Sequence, residues 1–111
     1  MQNFLILFRE PDGRLEDHSA EEIAVHQSNW KTWLTTWGER LNGGNSLTLN
    51  GKMIKGRDAV VVNDIHKVGT EIVGGFLLLK AENLDEAVEI TQSCPIFEFD
   101  GYAEVRELRN S

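Results

Sequence analysis

Two stretches of the chain are apolar at successive positions: Phe4-Leu5-Ile6-Leu7-Phe8 near the start, and Ile72 to Leu79, which contains Gly74-Gly75. Neighbouring side chains on a strand point to opposite faces, so each run predicts a strand buried on both. Tyr102 to Leu108 alternates instead, with Ala103 and Val105 on one face and Glu104 and Arg106 on the other. That is the pattern of an edge strand. Between the two continuous runs the period changes. Ser19-Ala20-Glu21-Glu22 has the form of a capping box, and Ile23, Trp30, Trp33, Leu34, Trp37 and Leu41 follow at threes, fours and sevens. The spacing predicts a helix to about Leu41, closed by Asn42-Gly43-Gly44-Asn45. Ser46 to Leu49 reads as a short strand and Asn50-Gly51 as a hairpin turn. Lys52 to Lys55 returns, Gly56-Arg57-Asp58 turns, Ala59 to Val62 is a further strand, and Asn63 to Thr70 is a polar loop. After the second apolar run the chain passes through Ala81-Glu82-Asn83 into another helix. Leu84, Ala87, Val88 and Thr91 form its apolar side, and Cys94-Pro95 stops it.

The order is β-α-β-β-α-β with an extra hairpin in the second strand region. In a ferredoxin-like α+β sheet the first and third strands are central and the second and fourth are edges. The continuous runs fall on the first and third. Two helices cover one face of such a sheet, so the other face calls for a cover of its own, and a second copy is the simplest one. The expectation is a homodimer.

Composition narrows the partners. The chain has 111 residues, read as one domain over 1–111, and its formal charge of −7 argues against nucleic acid and against an anionic membrane surface. The single cysteine, Cys94, forms no internal disulfide and fits a reducing compartment. The run at Phe4 is too short for a signal-peptide core and has no basic segment before it. The reading is cytoplasmic.

The candidate chemistry is sparse. His26 falls in the apolar stripe of the first helix, three after Ile23 and four before Trp30. An imidazole titrates near neutrality, so a histidine so placed is either a general base or a core side chain bonded to a carbonyl. Trp30, Trp33 and Trp37 line a cleft or fill the core. Asp64 and His66 reach a pocket from their loop or stay in solvent. Gly74-Gly75 inside a strand marks a bulge or a close approach, with room for a ligand or for a ring. The three histidines have no metal-ligand spacing, and no glycine loop opens a helix to cradle a phosphate.

The segments EEIAVHQSNWKTW and VGGFLLLKAENLDEAVEITQSCPIFEFDGYAEVREL together resemble the YCII-related, or DGPF-domain, family over nearly the whole chain. The resemblance implies a dimeric α+β barrel with a pocket between helix and sheet, and a catalytic pair formed by a first-helix histidine and an acid. The histidine maps to His26. The motif that names the family is replaced by Asn63-Asp64-Ile65-His66, so the acidic position holds Asn63 and the nearest carboxylate is Asp64. The expected site is therefore His26 and Asp64, lined by Trp30, Trp33, Asn63, His66, Gly74 and Gly75, with no metal and no cofactor. The expected activity is isomerase or lyase chemistry on a small lactone-like molecule. The alternative is a binding or accessory protein that kept the scaffold and lost the acid.

Overall fold

The computed structural model describes residues 1–109. Strand β1 (Gln2–Pro11) leads through a 3-10 turn (Arg14–Asp17) to helix α1 (Ala20–Thr36). A second 3-10 turn (Gly38–Arg40) precedes β2 (Leu41–Ser46), and β3 (Met53–Lys55) and β4 (Val60–Val62) follow. The chain returns as β5 (Glu71–Ala81), helix α2 (Leu84–Gln92), a 3-10 turn (Pro95–Phe99) and β6 (Tyr102–Glu107). The main sheet has the order β2-β5-β1-β6, antiparallel throughout, with β1 and β5 central. This is the ferredoxin-like α+β arrangement, with a β3–β4 hairpin inserted between the second and third main strands.

The two apolar runs divide between the faces of the sheet. Phe4, Ile6 and Phe8 of β1 and Leu79 of β5 are buried in the core beneath the helices, together with Trp33, Ala87, Ile90 and Ile96. Leu5, Leu7, Phe76 and Leu78 occupy the intervening positions, where Leu5 opposes Leu78 and Leu7 opposes Phe76, and they are only half-buried. The single chain thus buries one face of its central strands.

The capping box at Ser19 is present: Ser19 Oγ accepts from the Glu22 N–H (3.1 Å) and Glu22 Oε1 accepts from the Ser19 N–H (3.2 Å). Helix α1 ends at Thr36, a turn earlier than the spacing suggests. Thr35 and Thr36 donate their hydroxyls back to the carbonyls of Lys31 and Thr32, which weakens a helix end, and Gly38 follows at once. Leu41 therefore belongs to β2. The stretch Asn42-Gly43-Gly44-Asn45 is part of that strand, with Gly43 and Gly44 at φ 120° and 138° carrying an irregular register against β5. The hairpin signal at Asn50-Gly51 makes no hairpin. The reversal lies between β3 and β4, at Gly56 to Ala59. Helix α2 is capped by Asn83, whose Oδ1 accepts from the Glu86 N–H (2.9 Å). It buries Ala87, Ile90 and Thr91, while Leu84 and Val88 stay exposed. The stripe continues through Cys94 and so runs one position off the expected one.

The β3–β4 arm pairs with itself and not with the main sheet. It leaves Ile54, Val60 and Val61 exposed. The body beside it is a slab, with overall extents of 43 × 42 × 19 Å, and the radius of gyration of 15.5 Å exceeds the ~13 Å usual for a compact chain of this length. Among the described residues no helix is long and apolar enough to cross a membrane.

Candidate functional site

The side chains with the most chemistry in their surroundings meet where α1, the end of β1 and the 95–99 turn come together. Helical spacing aims His26, Trp30 and Trp33 at the sheet. Pro95 begins a tight turn whose buried Ile96 and Phe99 anchor it against the body, and the turn in consequence presents Glu98 to α1. His26, only 3% exposed, is enclosed on every side. Its Nδ1–H donates to Glu98 Oε1 (2.8 Å), and the other oxygen of that carboxylate accepts from Asn29 Nδ2 (3.0 Å). At Nε2 two donors converge, Trp30 Nε1 (3.1 Å) and Arg14 Nη1 (3.3 Å). Two donors need a lone pair to accept them, so this network assigns the proton to Nδ1 and leaves Nε2 as the acceptor. The ring stacks on Phe99 at 4.2 Å between centroids, and His18 stacks on the same phenyl ring at 3.7 Å.

Arg14 carries the network to a second carboxylate. Its guanidinium pairs with Glu10, whose side chain is 12% exposed. Glu10 lies on the core face of β1, two positions beyond Phe8. Burial raises the Glu10 carboxyl above the ordinary carboxylate value, against the pull of Arg14. Its Oε2 is enclosed and accepts no well-aligned hydrogen bond; the Arg14 ion pair is its partner. The space comes from Gly74. The β1–β5 register slips there, with Phe8 opposite Gly75 and Arg9 opposite Val73, so Gly74 is the extra residue of a bulge. A Cβ on Gly74 would collide with the Glu10 carboxylate. The glycine makes room for neither ligand nor ring but for an acid. Gly75 has another role: a Cβ there would press on the Asn45 carbonyl of β2, 3.0 Å away.

The expected residues separate into two places. His26, Trp30 and Trp33 stand together, and Trp33 donates to Ser93 Oγ (3.0 Å) as part of the core. Gly74 touches the same network through Glu10. Asn63, Asp64 and His66 lie elsewhere, exposed in the loop after β4. Asp64 accepts from the neighbouring Ile65 N–H (2.8 Å). The carboxylate on His26 is thus Glu98 rather than Asp64, because the chain between β4 and β5 belongs to the arm, whereas the 95–99 turn packs on α1. His66 and Ile65 help to line a cleft of about 330 Å³ at the base of the arm, with Leu47, Asn50 and Val73. A second groove of about 430 Å³ runs between α1 and the 95–99 turn, past Asn29, Trp33, Trp37, Ser93 and Glu98. His26 lines neither cleft, although Glu98 stands at the rim of the second.

Glu10, Arg14 and Glu98 were legible only in part. Period two places position 10 on the face of Phe4, Ile6 and Phe8, which marks a carboxylate aimed inward. Glu98 is the one charge within Pro-Ile-Phe-Glu-Phe, a hint that it points at something. Nothing in the sequence marks Arg14. Cys94 is buried, and desolvation pushes its thiol up to about 11, which leaves it inert as a nucleophile near neutrality. Among the described residues no cluster of three or more His, Cys, Asp or Glu side chains is arranged to hold a metal ion.

The fold is that of a known family. The YCII-related domain matches residues 4–110, and the chain belongs to that family. No curated protein matches it. Among solved structures, the chain is similar to 5-chloro-2-hydroxyhydroquinone dehydrochlorinase (TftG) from Burkholderia phenoliruptrix AC1100, in complex with 2,5-dihydroxybenzoquinone. The TM-score is 0.59 at 18% identity, over 98% of this chain and 95% of that one. At that identity the likeness is one of fold.

Proposed function

We propose that the protein is a cofactor-free enzyme that moves a proton on a small cyclic organic molecule, with His26 as general base. The observation that carries this reading is the 2.8 Å bond from His26 Nδ1 to Glu98. A carboxylate at Nδ1 fixes the tautomer, turns the basic lone pair of Nε2 inward, and stabilises the imidazolium once a proton has been taken. The role expected of Asp64 therefore passes to Glu98. Arg14 stands where negative charge would develop on a carbonyl or hydroxyl oxygen. Isomerisation of an unsaturated lactone and loss of hydrogen chloride from a chlorinated hydroxyquinol both begin with such a proton removal. The dehydrochlorinase name and quinone ligand of the structural neighbour support that substrate class.

The test is turnover of 5-chloro-2-hydroxyhydroquinone, and exchange of the acidic proton of unsaturated lactones in heavy water. Wild type should act on one class or the other, and His26→Asn should lose on the order of 10²- to 10⁴-fold in rate. Equal rates for the two proteins would remove His26 from the chemistry. The near-complete enclosure of His26, with both nitrogens engaged, favours one other reading: a dimeric ligand-binding protein without catalysis. That reading predicts saturable binding of 2,5-dihydroxybenzoquinone with no turnover by either protein.

The same proposal places the enzyme in the cytoplasm as a homodimer, an α+β barrel closed through the half-buried Leu5, Leu7, Phe76 and Leu78. Sedimentation should find a dimer at micromolar concentration, and Leu7→Asp should shift it to monomer. A wild-type monomer at that concentration would remove the barrel.

A further inference from the structure

Reading His26 Nε2 as the proton acceptor leaves the position of Arg14 to be explained. In the resting protein the lone pair faces two donors, one the Trp30 indole and the other Arg14. The indole is fixed by its own packing, edge-on to Phe8 and to Trp33. Arg14 sits on a short 3-10 turn, and among the described residues its carboxylate partner is Glu10. Arg14 is the movable one of the two donors, and a half-buried guanidinium held by a carboxylate moves most readily to another anion.

We infer that the Glu10–Arg14 pair is an exchangeable cover over His26, and that the molecule it admits is an oxyanion which takes the place of Glu10 as Arg14's partner. This deepens the function proposed above and rests on it for the direction of Nε2. The exchange has a chemical consequence. Glu10 sits in a slot closed by the backbone at Gly74, with Arg14 from the 3-10 turn and His26 from α1 as the charged or titratable groups acting on it. Once Arg14 has turned to the ligand, a carboxylate left in that slot has lost its cation, and it takes up a proton from solvent. The proton bound cancels one negative charge of the entering ligand. Burial already raises the Glu10 carboxyl while Arg14 is present, so the direction is consistent. The ligand class is a small acid whose negative oxygen lies beside the proton to be removed, such as an ionised hydroxyquinone or an enolised lactone acid.

The experiment is titration calorimetry of the intact protein with 2,5-dihydroxybenzoquinone, near neutral pH, where both hydroxyls of the probe are ionised. Buffers of different ionisation enthalpy read the protons exchanged. Wild type should take up about one proton per site, and its Kd should rise with pH by up to about tenfold per unit. Glu10→Gln, which keeps the shape and removes the titrating group, should abolish the uptake and flatten that pH dependence. Arg14→Gln should weaken binding at least about tenfold, as expected for a charge-assisted contact. His26→Gln should lose turnover yet retain the proton uptake, so failure of the base is distinguishable from failure of the cover. Binding without proton uptake, uptake that persists in Glu10→Gln, or no binding at all would each overturn the exchange.

Discussion

Two short connections carry acidic residues toward the helices and strands, and they differ in what holds them. The 95–99 turn is five residues long and three of them, Pro95, Ile96 and Phe99, are buried. Its acid, Glu98, therefore has a fixed place and a fixed partner. The loop after β4 carries Asn63, Asp64 and His66 and is exposed at all three, on an arm that pairs only with itself. A carboxylate acquires a position from the apolar neighbours that anchor its backbone, and the loop that stands in place of the family's naming motif has few of them.

The comparison breaks most visibly at the anchors. Phe99→Ala should cost about 3–5 kcal/mol, since it removes a buried ring stacked between His18 and His26. Val61→Ala on the arm, 56% exposed, should stay within roughly 0.5 kcal/mol. Chemical denaturation of the two variants measures this, and equal costs would mean that the arm is packed in solution. A finer cut compares the acids. Glu98→Gln should cost at most about 1 kcal/mol, since the amide oxygen still accepts from the His26 ring and only the charge, on a side chain 40% exposed, is lost. It should also slow any turnover that depends on His26, whereas Asp64→Asn should change neither. If Asp64→Asn proved the slower enzyme, the arm loop would have to fold over the site.

Much of this was readable in advance, and the limit is physical. Most local signals reported local structure, Asn50-Gly51 excepted. Ser19 and Glu22 form their box, Asn83 caps α2, and Pro95 stops the helix where the residue types dictate. The alternation at Tyr102 marks an edge strand because an edge strand needs nothing else from the chain. Long-range partners carry no such signature. Glu98 meets His26 across 72 positions. The glycines near Gly43 read as a helix end for the same reason: their place against β5 is a tertiary fact.

A local effect is expected at the start of α1. Ser19→Ala should cost about 1 kcal/mol, the usual value of an N-cap. Acid should act at the same place. The Ser19 N–H, with His18 beside it, holds the Glu22 carboxyl below its ordinary value. A lowered carboxylate stabilises the folded state above its ordinary value, and that contribution fades as pH falls through the lowered one. Melts at stepwise lower pH should therefore bring wild type and Glu22→Gln together. A gap that stays constant on acidification would exclude Glu22 as the group that titrates.

The bulge at Gly74 has a consequence for how such a sequence diverges. Positions 10 and 74 share one volume, so position 74 is not free to gain a side chain while a glutamate fills the slot from position 10. A lineage that gains any side chain at 74 must first shrink position 10, and in doing so it gives up the acid that holds Arg14. A lineage that has lost the acid no longer needs the glycine. Across relatives the two positions should therefore change as a pair, glycine travelling with a carboxylate sixty-four positions away. An alignment in which a bulky residue at 74 stands beside glutamate at 10 would show that the slot was built in some other way.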